Sequence, residues 1–489
     1  MTVTIDGGTL DRAALVRVAR GGEAVTLAPG VLRRMAATHE VVERALHEGR
    51  AVYGTSTAVG VLKRVEVAEA AAAYSRSMLR THRVAQGPLA PADLVRGTML
   101  HLLNAYADGT TGVRPDLAVR LERALNEGEV PPVRTLGSIG QADLAPMADL
   151  AMGLFADADL AAGEGLALVS SNAFSTAWSA LAIADADRLL RTITVAGALS
   201  LEGLGANRTL FHPGIGDVRP YPGLRRSLAR LGALLAGSWL TEPGAARQLQ
   251  DPLVFRNLPH LLGTGLDALA FADAQLAIEL NASQSNPVVL PGEPAPVSVA
   301  NYEILPLVTA VDHLRLTLAT VITASAERTV KLLEGPWSGL PTGLSPAGGS
   351  DPGLAYWGIA VQGVAAEARL LATPVSTEVV STSHAEGIED RATMAPLAAR
   401  KLAEQVRIGE RVAAMELATA AQAVDLRGRT PLGAGTSLAH AVVRSQVPGL
   451  EVGDTVPDIE PLVERLARDL LPGPWPDVAA VGGASGAGA

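Results

Sequence analysis

Gly137-Ser138-Ile139-Gly140-Gln141-Ala142-Asp143-Leu144-Ala145-Pro146 sets two short frames, Gly-Ser-Ile-Gly and Asp-Leu-Ala-Pro, on either side of two residues, Gln141 and Ala142. That interval decides what the loop can become. A backbone segment that cyclises and sheds water needs a hydroxyl to eliminate and an unhindered amide to attack the preceding carbonyl. Gln141 and Ala142 carry no hydroxyl, and no glycine stands between the frames. Ser138 is a poor substitute, because β-branched Ile139 follows it and crowds the amide. Between these frames the chain has no residue suited to cyclise and lose water.

Outward from this loop, the 489-residue chain is 48% hydrophobic but only 3% aromatic, so Ala, Leu and Val must build its core. That composition favours helix, because these side chains and the accompanying Arg and Glu lose little rotamer freedom there. Lys+Arg 40 against Asp+Glu 50 gives a net charge of −10, which argues against nucleic-acid partners. With no cysteine there is no disulfide, thiolate metal site or Cys nucleophile. Met1-Thr2-Val3-Thr4-Ile5-Asp6 has neither a basic nor an apolar leader region. The apolar window from Leu305 to Val330 is broken by Asp312, His313, Arg315 and Glu327, so no membrane association is expected. A cytoplasmic protein follows from these readings.

Periodicity divides the chain into a small mixed N-terminal region, 1–170, a long-helix region, 171–425, a helical C-terminal region, 426–478, and a Gly/Ala/Ser tail, 479–489, expected to be disordered. Short strands are expected at Val3–Ile5 and Ala24–Leu27, with two amphipathic helices within the first fifty residues. Helical spacing recurs at Val67–Leu79, Pro91–Ala107 and Pro115–Asn126, the two prolines suiting first-turn positions. Long helices are expected at about 175–205, 224–235, 266–280, 305–333, 354–371 and 392–424. Pro336–Gly353 and Pro291–Pro296 read as loops.

Blocks running in order from near the N-terminus to about residue 425 resemble the histidine and phenylalanine ammonia-lyase family. In that family the two frames enclose an Ala-Ser-Gly triplet, which becomes the electrophile methylidene-imidazolone. The resemblance implies a mostly all-α fold around a long central helical bundle, and homotetramers whose sites are shared between chains. Val52-Tyr53-Gly54-Thr55-Ser56-Thr57-Ala58-Val59-Gly60 is similar to the family block that places the tyrosine base on a lid loop, which makes Tyr53 the candidate base. By its residues alone, Tyr53 is a tyrosine in an accessible Gly/Thr loop, where packing of the ring is the ordinary alternative. Ser77–His82 resembles the block whose histidine lies near the substrate side chain; a lone histidine otherwise reads as a hydrogen-bonded structural residue. Gln250-Asp251-Pro252-Leu253-Val254-Phe255-Arg256 matches the block whose arginine grips a carboxylate, a task suited to a planar guanidinium, with a structural ion pair as the alternative. Gln250 joins Arg256 as a candidate binding residue, and Leu253 stands where the family has tyrosine.

Glu279–Pro287 resembles a turn near the family's site. Asn301, Tyr302 and Glu303 fall on Asn-Phe-His, so Asn301 retains a carboxylate contact beside a more polar and more acidic pair. Ser383–Asp390 resembles the family's block ending Gln-Glu-Asp and places Glu389 on the acid that contacts the substrate amine or an assisting tyrosine. The departures are concentrated around the loop. Gly140, Gln141, Ala142 and Asp143 form a degenerate electrophile loop, and Ser170 replaces the asparagine that steadies the electrophile. The stretch between Pro146 and Gly163 is also shorter than usual. No cofactor is expected. Gly263-Thr264-Gly265 and Gly433-Ala434-Gly435 lack the features of a dinucleotide site, and His384-Ala385-Glu386 is a weak metal hint, so no metal is expected.

An amino acid's β-proton is too weakly acidic for a tyrosine acting alone. The leading expectation is therefore elimination, hydration or conjugate addition on a small, self-activated carboxylate or acyl substrate of specialised metabolism. Tyr53 would move the proton, Glu389 would assist, Arg256 and Asn301 would hold the acid group, and backbone amides of Gly140–Asp143 would face the substrate. Two alternatives remain: ammonia-lyase or aminomutase activity by another route, and a noncatalytic scaffold.

Overall fold

A computed structural model describes residues 2–67, 70–377 and 384–471. Helices dominate, as expected, and the described strands are short pairs. Thr2–Ile5 runs parallel to Ala24–Leu27, with Val3 opposite Val25 and Ile5 opposite Leu27. Gln86–Leu89 runs antiparallel to Arg134–Leu136, a pair that the sequence did not reveal. The tail at 479–489 and Ser383 lie outside the described residues.

The chain forms two compact units that interleave along the sequence. The first comprises Met1–Ala184, Ala272–Asp312 and Pro374–Arg400, and the second Asp185–Phe271, His313–Thr373 and Lys401–Ala489. In the first unit, helices Arg12–Gly21 and Ala92–Ala107 pack together where Gly97 faces Leu15 and Ala19, and Leu15, Val18, Leu94 and Met99 are buried. Asp11 starts the earlier helix by accepting the Ala14 N–H at 2.6 Å, and Gly22 ends it in the left-handed conformation with φ 66°. Pro115 occupies the first turn of Pro115–Glu127, whereas Pro91 sits one position earlier, as the N-cap of its helix.

The helix Ala173–Leu204 is apolar on nearly every face and almost wholly buried, the burial that such a pattern requires. Helix Leu258–Glu279 begins well before the expected residue 266 and carries Gly263 and Gly265 within it. The reason is close packing in the second unit. A Cβ on Gly263 would lie 2.6 Å from the Leu224 nitrogen, so the backbones meet where only glycine fits.

By length and composition, Glu164–Leu204, Leu258–Glu279 and Leu305–Leu333 could each cross a membrane, so the charges in the last do not exclude it as expected. Within the fold, 61% of the apolar window of Leu305–Leu333 is buried, and its Arg315 donates to the carbonyls of Leu371 and Thr373.

Candidate functional site

The loop 137–143 is a tightly held turn. Gly137, Gly140 and Ala142 have φ values of 111°, 78° and 55°, and the last is unusual for a residue with a side chain. The Gly140 carbonyl accepts from Asn172 Nδ2 at 3.0 Å and from Thr393 Oγ1 at 2.7 Å. Its N–H donates to Ser138 Oγ at 3.0 Å, the Ile139 carbonyl accepts from Met394 N at 2.8 Å, and Asp143 N donates to the Ser171 carbonyl at 2.8 Å.

Asp143 closes the turn. Its fully buried carboxylate accepts from Ser138 Oγ at 2.9 Å and from the Ser175 N–H at 2.7 Å. It therefore satisfies an otherwise unpaired amide in the first turn of Ala173–Leu204, where the helix dipole also favours negative charge. Burial pushes its pKa up to about 6, against the opposing pull of the bonds from Ser175 and Ser138.

Side chains with acid–base chemistry gather in the same unit. Gln141 Nε2 donates to Glu303 Oε2 at 2.9 Å, and Glu303 Oε1 accepts the Leu305 N–H at 3.1 Å. Burial raises the pKa of the neighbouring Tyr302 phenol, and the charges of Tyr53, Glu389 and Glu303 raise it further. Tyr53 is half-buried, and its hydroxyl oxygen accepts the Gly60 N–H at 3.1 Å. Ten residues beyond Tyr53, Lys63 Nζ reaches Glu386 Oε2 at 3.3 Å. Asn301 is exposed in the turn before Tyr302.

His82 is tied to its own helix, with Nδ1 2.9 Å from the Met78 carbonyl oxygen. In the second unit Gln250 is exposed, and Arg256 Nε donates to the Asp251 carbonyl at 2.8 Å. Among the described residues the two terminal nitrogens of Arg256 have no hydrogen-bond partner, which leaves the guanidinium fork open. Leu253, one turn earlier, is 64% exposed. Ser170 lines a small cavity with Thr55, Thr111, Glu164, Ser285 and Asn286.

Three residues that hold the loop were not anticipated. Asn172 reaches Gly140 from two positions beyond Ser170, Gln284 Oε1 accepts the Asn172 N–H at 3.1 Å, and Thr393 arrives from a remote segment. Gln284 lay within the matched block Glu279–Pro287, and Asn172 stands two positions beyond Ser170; those were their only signals. Thr393 had none.

A model of aromatic amino acid lyases matches residues 10–160 and 155–445. The chain belongs to the aromatic amino acid lyase family. Relatives of this chain include the histidine ammonia-lyase of Symbiobacterium thermophilum, 33% identical over 94% of this chain and 95% of the relative. That of Gloeobacter violaceus is also 33% identical, over 95% and 96% of the two chains. Among solved structures, the ergothioneine-degrading enzyme ergothionase from Treponema denticola, in complex with desmethyl-ergothioneine sulfonic acid, is similar with a TM-score of 0.91. It is 27% identical, over 96% of this chain and 100% of its own. Tyrosine aminomutase from Streptomyces globisporus is similar with a TM-score of 0.87 at 26% identity, over 96% and 97%. The family resemblance and the helical fold expected from the sequence are thus both confirmed.

Proposed function

We propose that this lyase breaks or moves a carbon–nitrogen bond in a small amino-acid-class substrate, with Tyr53 as its base. Likeness along nearly the whole chain to histidine ammonia-lyases, and to an aminomutase and ergothionase in structure, supports this class over the activated-acyl reading that the loop alone suggested. The observation that carries the proposal is the grouping of Tyr53, Tyr302, Glu303 and Glu389 within one unit of that scaffold. Acids beside two phenols suit proton transfer and the reception of a cationic amine.

In this assignment the Gly60 N–H orients the Tyr53 oxygen, and Glu389 assists the proton transfer or receives the amine. Arg256 offers its open fork to an acid group, and Asn301 offers an amide for the same purpose. By the family resemblance, His82, Gln250 and Tyr302 are assigned to the remainder of the substrate. We also assign a cytoplasmic location and a homotetramer with shared sites; sedimentation at the mass of a monomer would contradict the assembly.

Enzymes of this family use methylidene-imidazolone, formed from their own chain. The residues of this loop do not fit that group. Only Gln141 and Ala142 separate Gly140 from Asp143, and neither carries a hydroxyl. The carbonyl of Gly140 is also pinned by two donors. The proposed route therefore takes no step through it. Mass spectrometry of the peptide spanning 137–146 should find no loss of water; a dehydrated peptide would overturn this part.

Incubation with histidine, tyrosine, phenylalanine and their 3-amino isomers tests the activity, read by arylacrylate absorbance and amine release. Product from any of them supports the carbon–nitrogen reading, and no product from all of them counts against it. Tyr53→Phe should lower turnover by roughly 10²–10⁴-fold at an unchanged thermal midpoint. Undiminished activity in that variant ends the assignment of Tyr53. A second reading, proton transfer on an activated acyl substrate, is favoured by the Gly140–Asp143 turn itself.

A further inference from the structure

Two backbone donors in the loop are unused among the described residues. Gly140 N–H is bonded to Ser138, and the next N–H with a partner is that of Asp143. Among the described residues, the N–H groups of Gln141 and Ala142 have no acceptor. Ala142 is only 4% exposed, and backbone N–H groups at buried positions are seldom left unpaired. The positive φ of Gly140 and Ala142 brackets these donors, a backbone shape that turns successive N–H groups towards a common anion.

A second observation at the same turn is independent of its geometry. Asn172 is 0% exposed, its Nδ2 is fixed on the Gly140 carbonyl, and its Oδ1 has no partner among the described residues. A buried acceptor without a donor is costly unless a ligand or water completes it. The turn thus offers two donors and one acceptor, which is what a carbonyl next to an amine requires.

We propose that the Gln141–Ala142 turn is an oxyanion hole standing where relatives carry their electrophile, and that the substrate is a 3-aminoacyl compound such as a thioester or amide. This rests on the reading of Tyr53 as the base. Tyr53, as phenolate, takes a proton from C2, and the electrons of that C–H bond move into the carbonyl. The resulting enolate oxygen accepts from the N–H groups of Gln141 and Ala142. The electron pair then returns to form the C2=C3 double bond as the C3–N bond breaks. The departing amine keeps that bond's electrons and takes the proton back from Tyr53. The products are a 2-enoyl compound and an amine, and the reverse direction is conjugate addition. The Glu303 carboxylate, held by Gln141 and Leu305, opposes an isolated oxyanion, but it favours a substrate that also carries an ammonium group.

The N-acetylcysteamine thioester of 3-amino-3-phenylpropanoate, compared with its free acid, tests the proposal. Cinnamoyl thioester formation and C2 deuteration in D2O are the readouts, and the thioester is expected to react far faster. Gln141→Pro deletes one N–H at a position whose φ is not positive, and should lower kcat by roughly 10²-fold with little change in KM. Gln141→Ala, which keeps the N–H and loses the Glu303 contact, should fall by less than about tenfold.

Equal activity of the two variants, with Tyr53→Phe inactive, would overturn the oxyanion hole and leave the base assignment standing. Activity retained in Tyr53→Phe would instead remove the base assignment. Absence of thioester turnover overturns the substrate class. If Gln141→Pro does not fold, isotope-edited infrared spectra of the wild type bound to 3-phenylpropanoyl thioester decide. A carbonyl stretch lowered on binding is expected, and an unshifted one overturns the proposal.

Discussion

The buried carboxylate of Glu416 and the turn at Gly140–Asp143 are both dense with hydrogen bonds, yet only the first is complete. Arg328 pairs with Glu416 through two bonds, of 2.6 and 2.8 Å, and the hydroxyls of Ser200 and Ser325 donate to the same carboxylate. At the turn, the donors on Gln141 and Ala142 and the acceptor on Asn172 remain open among the described residues. A satisfied network fixes a core, whereas unsatisfied groups held rigidly imply something they are held for. Breaking the first should therefore affect folding before chemistry. Glu416→Ala leaves the Arg328 charge, 1% exposed, without its partner and should destabilise the protein by roughly 3–5 kcal/mol. Urea denaturation measures this, and a loss below about 1 kcal/mol would break the contrast.

The turn should also carry pH dependence, with an opposing contribution from the same unit. Burial raises the pKa of Asp143 to about 6, so the folded state favours its protonated form. That contribution is full below the unfolded carboxylate value and is lost as pH rises towards 6. Burial lowers the pKa of His101 to about 4, so the folded state favours its neutral form. That contribution is full above the unfolded histidine value and is lost as pH falls towards 4. Each amounts to roughly 3 kcal/mol, and between about pH 4 and 6 their slopes have opposite signs. Asp143→Asn removes the falling slope, so the variant's urea midpoint should climb more steeply with pH than the wild type's. Parallel profiles would remove the turn from the pH response.

What the sequence revealed follows from the range over which each signal acts. Periodicity placed Leu305–Leu333 at its observed limits, because apolar spacing is a local property. It shortened Leu258–Glu279, because Gly263 reads as punctuation until the contact with Leu224 shows why glycine is there. The loop was legible as a frame with two residues missing their chemistry. Its supports were not, since Asn172 and Thr393 lie 32 and 253 positions from Gly140 and meet it only in the fold. Glu303 was visible as an acid in place of histidine, but its bond to Gln141 joins residues 162 apart and could not be read in advance.

A matched pair of hydroxyl deletions gives the finest comparison. Thr393→Val removes one of two donors to the Gly140 carbonyl without changing side-chain shape, and Ser325→Ala removes one of the donors to Glu416. Both hydroxyls are buried, and each deletion should cost about 1 kcal/mol of stability, because the acceptor keeps other partners. Their effects on turnover should diverge. Loosening Gly140 allows the turn to shift, and small misplacements of groups facing a substrate cost rate steeply. The Arg328–Glu416 pair retains its two-point geometry without Ser325, so that variant should keep its kcat. If both variants lose stability and neither loses kcat, the Gly140 turn is a structural knot of the same kind as Glu416, and its open donors have no catalytic use.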